Sequence, residues 1–177
     1  MSDPERPYLH LYSGGRFYTE EPEENEFHLE DIAHALSMLC RFAGQVPEFY
    51  SVAEHSLLVS QFSPPRYQLW GLLHDASEAY VVDLPRPVKY LPALEPYRVY
   101  EQRVMEALLR HLHISPIEEP PAVRRADAFV YQLEARALGV HGPRRSGRRA
   151  LPLRMLPPAE AEAEFLRQAR YLIRGTP

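Results

Sequence analysis

Near the end of an apolar run, Leu69-Trp-Gly-Leu-Leu73, the sequence places a histidine and an aspartate side by side, His74-Asp75. A carboxylate buried without a partner costs several kcal/mol, so a buried one pairs with a cation or coordinates a metal. Adjacent helical positions point about 100° apart, yet two adjacent ligands can still converge on an ion close to the helix surface. Alone, the dipeptide reads more readily as a core histidine beside a capping aspartate, because perturbed groups are often merely structural. Two other residues change that weighting. His55 lies one predicted helix earlier, and Asp127 occupies an otherwise apolar position in a later one, Ala126-Asp-Ala-Phe129. Two imidazoles and two carboxylates from three helices suit a divalent ion of intermediate hardness: Mn, Fe, Co, Ni, Zn or Mg. Four protein ligands on a six-coordinate ion leave positions for water and substrate, which distinguishes a catalytic metal site from a structural one. Glu78 follows His74 by four residues, on the same helix face one turn away, where a carboxylate could hold or deprotonate a water at the ion. Asp83 is a second candidate for that work, although an Asp before Leu-Pro can simply cap a turn.

These residues need elements to carry them. Residues 8–19 alternate around Ser13-Gly14-Gly15 and predict a small hairpin. Ile32, Ala33, Leu36 and Leu39 have helical spacing, ending near Gly44. Ser51-Val-Ala-Glu54 is a capping box opening a helix that runs to about Phe62. Pro65 opens a third helix, with Tyr67, Trp70, Leu73, Ser77 and Tyr80 along one stripe. The proline-rich stretch from Asp83 to Tyr90 predicts a stiff loop. Helices follow over 95–113, from Pro120-Pro121 to about Leu138, and over 159–173, with an arginine-rich loop at 139–158.

Composition narrows the class. With 177 residues the expectation is one domain over 1–177, large enough for a real core. The apolar fraction of 45% and charged fraction of 25% exclude wholesale disorder. A net charge of −4 gives no overall basic field for duplex nucleic acid, so a nucleic-acid partner is not expected. One cysteine, Cys40, excludes an internal disulfide and a thiolate-clustered metal site. No apolar stretch suggests a membrane span and no secretory signal is visible, so a cytoplasmic protein is expected. Eleven tyrosines could serve the interfaces of a homo-oligomer.

The ordered set His55, His74-Asp75, Asp127 resembles the H…HD…D signature of HD-domain metal-dependent phosphohydrolases. Four blocks are more specific: Leu-Cys-Arg-Phe (39–42), Phe-Tyr-Ser-Val-Ala-Glu-His (49–55), His-Asp-Ala-Ser-Glu-Ala-Tyr (74–80) and Asp-Leu-Pro-Arg-Pro-Val-Lys (83–89). They are similar to the small bacterial and phage branch related to 5′-deoxynucleotidases, over about residues 10–173. The resemblance implies an all-α, compact helical bundle with the small N-terminal β-hairpin as decoration. It implies that His55, His74, Asp75 and Asp127 bind one divalent ion, that Glu78 is the acid/base and that Asp83 helps position the attacking water. Arg41 and Lys89 match phosphate-binding positions, and Arg124 matches a basic residue before the last aspartate. Tyr80 is taken as a sugar-edge residue that rejects a 2′-hydroxyl. Some relatives carry His where this chain has Gln45, so an imidazole there is not part of the expected site; His28 and His34 are read as structural.

The implied activity is hydrolysis of a phosphate bond in a deoxynucleotide, first as a 5′-deoxynucleotidase acting on dNMPs. A dNTP triphosphohydrolase is the alternative, favoured by Arg124 and the 144–154 arginines. A non-catalytic nucleotide- or nucleic-acid-binding module is the other, resting on Arg144, Arg145, Arg148, Arg149 and Arg154.

Overall fold

The computed structural model describes residues 6–140 and 153–175. Arg144, Arg145, Arg148 and Arg149, and with them most of the expected arginine-rich loop, lie outside the described residues. The fold is mostly α, with a two-stranded antiparallel hairpin near the N-terminus. Strands β1 (Tyr8–His10) and β2 (Arg16–Tyr18) pair Leu9 with Phe17 across the turn at Ser13–Gly15. Asp31 fastens that turn to the first helix, accepting from the Ser13 backbone N–H at 2.7 Å and from its hydroxyl at 2.9 Å.

Helices α1 (Leu29–Met38), α2 (Val52–Phe62), α3 (Gln68–Leu73), α6 (Glu95–His111), α7 (Pro121–Leu138) and α8 (Pro158–Arg174) surround one apolar cluster. Helix α2 is central, packed against α1, α3, α7 and α8. Its buried face carries small polar residues, Ser56 and Ser60, which permit close approach of α3. Ser60 donates to the Gln68 carbonyl at 2.8 Å, and a Cβ on Gly71 would meet the Ser63 hydroxyl oxygen at 2.6 Å. A side chain at Gly71 would therefore push the Ser63 hydroxyl off the Val59 carbonyl, which it holds at 2.8 Å where α3 crosses the end of α2. Among the described residues, no helix is long and apolar enough to cross a membrane.

Several local expectations need correction. The helix opened by Pro65 does not run unbroken to Tyr80: a 3₁₀ turn at Pro65–Tyr67 leads into α3, and α4 (Glu78–Val81) begins after four turn residues. The intervening chain winds more tightly, with Ala76 N–H on the Leu73 carbonyl and Glu78 N–H on the Asp75 carbonyl, each three residues back. The stiff loop after Asp83 contains one helical turn, α5 (Arg86–Lys89). The capping box is only half made. The Ser51 hydroxyl accepts from the Glu54 N–H at 3.1 Å, but the Glu54 carboxylate does not reach back. It accepts instead from the backbone N–H groups of Arg154 (2.9 Å), Met155 (3.2 Å) and Leu156 (2.7 Å). Met155 has φ +52°, so successive N–H groups form a concave nest around the carboxylate.

Candidate metal centre

His55 sits on the buried side of α2, in its first turn, with no exposure. Its Nδ1 donates to Glu134 Oε1 at 2.7 Å, which leaves Nε2 as the outward-facing atom. His74, where α3 ends, has φ −60° and ψ −29° and stays helical, so its Nδ1 donates back to the Gly71 carbonyl at 2.9 Å. Both rings are thus held in the same sense, Nδ1 occupied and Nε2 aimed at a common point. The two Nε2 atoms lie 3.2 Å apart. Asp75 Oδ2 is 3.1 Å from His74 Nε2 and 3.6 Å from His55 Nε2, and Asp127 Oδ1 on α7 is 3.3 Å from His55 Nε2.

Electron-rich atoms converging in this way repel one another unless a cation or proton lies among them. Ligands about 2.1 Å from one ion and at right angles are about 3.0 Å apart, so these separations suit a shared ion. His55, His74 and Asp75 form a group that could bind a metal ion. Asp127 reaches the same group through His55.

The electrostatics of the isolated side chains agree with that reading. Burial and the Arg41 charge pull the His55 pKa down, but Glu134 and Asp127 prevail and push it up to about 9. Burial likewise opposes, and Asp75 outweighs it at, a raised His74. Burial would raise both carboxyls, yet His74 and His55 hold Asp75, and His55 holds Asp127, below the usual carboxylate range. Cationic partners are demanded here, whether protons or a metal.

Around this centre sit further charged groups. A short antiparallel bridge between Cys40 and Ser51 sets Arg41 beside the start of α2, with the Arg41 N–H on the Tyr50 carbonyl at 2.8 Å. The chain then makes a left-handed turn at Phe42, Ala43 and Gly44 (φ +56°, +52° and +73°), with the Phe42 ring 5.8 Å from that of Tyr131. The Arg41 guanidinium lies 3.6 Å from Asp75 Oδ2 and 3.4 Å from Glu134 Oε2, while its Nε is buried with no hydrogen-bond partner. Burial opposes charge there, but Glu134, Asp75, Asp83 and Glu78 keep Arg41 firmly protonated.

Glu78 is 5% exposed and its Oε2 has no partner. Sequence spacing put it over His74; the tight winding through 73–78 brings it into register with Asp75 instead, since i and i+3 eclipse at three residues per turn. Burial, then Asp75 and Asp83, hold its carboxyl well above the usual range. Asp83 is also raised, by burial first. It follows Val82, whose φ +65° and ψ +158° are foreign to a β-branched residue. That conformation is clamped by the Tyr97 hydroxyl, which donates to the Val82 carbonyl at 2.8 Å. Lys89 Nζ, carried by α5, lies 2.8 and 2.7 Å from the two carboxylate oxygens of Glu101 on α6.

Two expected residues do not join this cluster. Tyr80 is buried, its ring 4.6 Å from Phe17 and 5.3 Å from Phe27, because α4 turns that face toward the hairpin and core. Arg124 is 70% exposed and paired with Glu119 at 2.8 Å. Sequence reasoning missed Glu134 and Glu101. Glu134 had a signal: an acid seven residues after Asp127, two turns along the same helix face, between the apolar residues Leu133 and Ala135. Glu101 had none, since its partner Lys89 lies on another element.

No family model matches the chain. The uncharacterized protein YfdR of Escherichia coli is 36% identical over 133 residues, covering 75% of this chain and 73% of YfdR. An uncharacterized protein of Rhodobacter capsulatus is 30% identical over 192 aligned positions, covering 96% of this chain and 97% of that relative. The chain belongs to the family of these proteins. A 5′-deoxynucleotidase of Erwinia tasmaniensis is more distant: 31% identical over 103 residues, 57% of this chain and 42% of that enzyme. It supports a phosphohydrolase-like relationship.

Proposed function

We propose that the protein is a metal-dependent phosphohydrolase of the HD type, removing the 5′-phosphate from deoxynucleoside monophosphates. The observation that carries the reading is the shared orientation of His55 and His74, each with Nδ1 engaged and Nε2 turned to the carboxylates of Asp75 and Asp127. The distant 5′-deoxynucleotidase supplies the substrate class. The monophosphate is preferred to a dNTP because Arg124, which would extend the anion site, is engaged with Glu119 at the surface.

His55, His74, Asp75 and Asp127 would hold a divalent ion, which would supply Lewis acidity toward water and phosphoryl oxygen. Arg41 presents a guanidinium fork to the phosphoryl oxygens, and its unpaired Nε is a further donor for them. Lys89 adds charge as the transition state develops. Glu78 takes the proton from the attacking water as the O–P bond forms. It returns the proton to the 5′-oxygen as the P–O5′ bond breaks. A carboxyl with a raised pKa is suited to both halves of that exchange. Asp83 orients the water.

The test is product analysis by chromatography on the four dNMPs and four dNTPs with added Mn or Co. Inorganic phosphate released from dNMPs, and abolished in Asp75→Ala, is the expected result. Triphosphate released from dNTPs would move the substrate to the longer nucleotide. No hydrolysis of either set with either metal, while nucleotide binding persists, would overturn the enzyme reading in favour of a binding module.

A further inference from the structure

The catalytic roles above make no use of the carboxylate of Glu134, which has no exposure. It sits on α7, two turns beyond Asp127. Oε1 accepts from His55 Nδ1 at 2.7 Å and from the Tyr50 hydroxyl at 2.7 Å, and Oε2 lies 3.4 Å from Arg41 Nη2. One carboxylate therefore grips both the imidazole that faces the metal centre and the guanidinium assigned to the phosphoryl group. Partners on both of its oxygens, His55 and Tyr50 on one and Arg41 on the other, fix the carboxylate in place.

Arg41 has a second tether, Asp75 Oδ2 at 3.6 Å, and Asp75 belongs to the metal group. A cation that draws on the Asp75 charge loosens that tether and leaves Glu134 as the contact keeping the guanidinium in place. A divalent cation held with Asp75 would lie close to the Arg41 fork and add attraction for a phosphate dianion seated there. Metal and phosphate should then favour one another.

We propose that Glu134 is a positioning residue that couples the two halves of the site, presenting His55 Nε2 to the metal and the Arg41 fork to the phosphate so that the two ligands bind cooperatively. The proposal rests on the metal-dependent phosphohydrolase reading. Coupling of this kind is reciprocal: phosphate must tighten the metal by the factor by which the metal tightens phosphate.

The experiment is a titration of the full chain with Co(II), followed by its visible absorption, with and without saturating inorganic phosphate. Wild type should bind Co(II) about 5–100-fold more tightly when phosphate is present. Glu134→Gln keeps the shape and removes the charge; it should weaken Co(II) by about 10–100-fold and bring the phosphate factor close to one. Near-UV circular dichroism checks that the variant is folded. Should it not fold, Tyr50→Phe, which removes one donor to the same oxygen, is read in the same way and should lower both quantities by a smaller factor. Co(II) affinity and phosphate factor both unchanged in the folded variant would overturn the proposal and leave the metal reading standing. A wild-type protein that binds no Co(II) would overturn the metal reading and the proposal with it.

Discussion

Glu78 occupies a position that costs stability, a cost that the proposed acid/base role would explain. Its carboxyl is buried, lacks a partner at Oε2 and faces the charges of Asp75 and Asp83. A carboxyl whose pKa is higher in the folded chain keeps a proton that the unfolded chain releases, so its contribution to stability declines as pH rises through the folded value. Glu78→Gln should therefore raise the Tm of metal-free protein by a few degrees at neutral pH, since it removes a buried charge that faces Asp75 and Asp83. The gap between variant and wild type should widen as pH rises above the ordinary carboxyl range, because the folded value is raised; a narrowing gap in thermal melts with chelator contradicts the assignment. The same variant should retain Co(II) and lose about 10²–10⁴-fold in kcat, as expected for removal of a general acid/base. Loss of Co(II) would make Glu78 a ligand. Ala43 carries a different strain, at φ +52° in the left-handed turn after Arg41. Ala43→Gly should stabilise the fold by about 1 kcal/mol in denaturant titration, and no gain would mean the turn is not strained.

The joints between elements do as much as the elements. Periodicity predicts continuous helix across the α3–α4 junction and by itself gives no reason to break it. The tighter winding there moves Glu78 from the His74 face to the Asp75 face, which changes its electrostatic neighbour. Glu54 reads as a capping residue because the Ser-x-x-Glu pattern lies within four neighbouring positions, yet only the Ser51 half of that box is made. Its actual partners, Arg154 to Leu156, are about a hundred residues away, and no local pattern announces them. Glu54→Ala leaves three backbone N–H groups without an acceptor, at about 1 kcal/mol each. It should destabilise the protein by about 3 kcal/mol and speed amide exchange at Arg154–Leu156 selectively; uniform exchange would refute the tether. Val82 offers a further check at the α4–α5 joint. Val82→Gly should relieve backbone strain of about 1–3 kcal/mol while lowering kcat through a loosened Asp83, and unchanged kcat would show that the strain does not serve the site.

Across the whole molecule the proposed centre would act as a staple. His55 comes from α2, His74 and Asp75 from the end of α3, and Asp127 from α7, so a bound ion joins three helices that meet in the core. An ion that binds only the folded chain adds about 2.7 kcal/mol at a hundredfold excess over Kd. That corresponds to a rise of about 5–10 °C in Tm at this chain length. Mn or Co should produce that shift in wild type and not in Asp75→Ala; equal shifts would place the ion elsewhere.

Residue type and spacing by themselves determined that the chain is mostly helical, where α7 begins and ends, and which two histidines and two aspartates stand out. An ionisable group within an apolar helical stripe is conspicuous in one dimension, because periodicity fixes which face it shares. Glu134 could have been seen on the same ground; Glu101 and the far partners of Glu54 could not. Only the tertiary structure decided which face Glu78 presents, that Tyr80 belongs to the core, and that one carboxylate serves both His55 and Arg41. Those outcomes depend on local winding and on contacts between segments distant along the chain, and neither leaves a periodic trace in the order of residues.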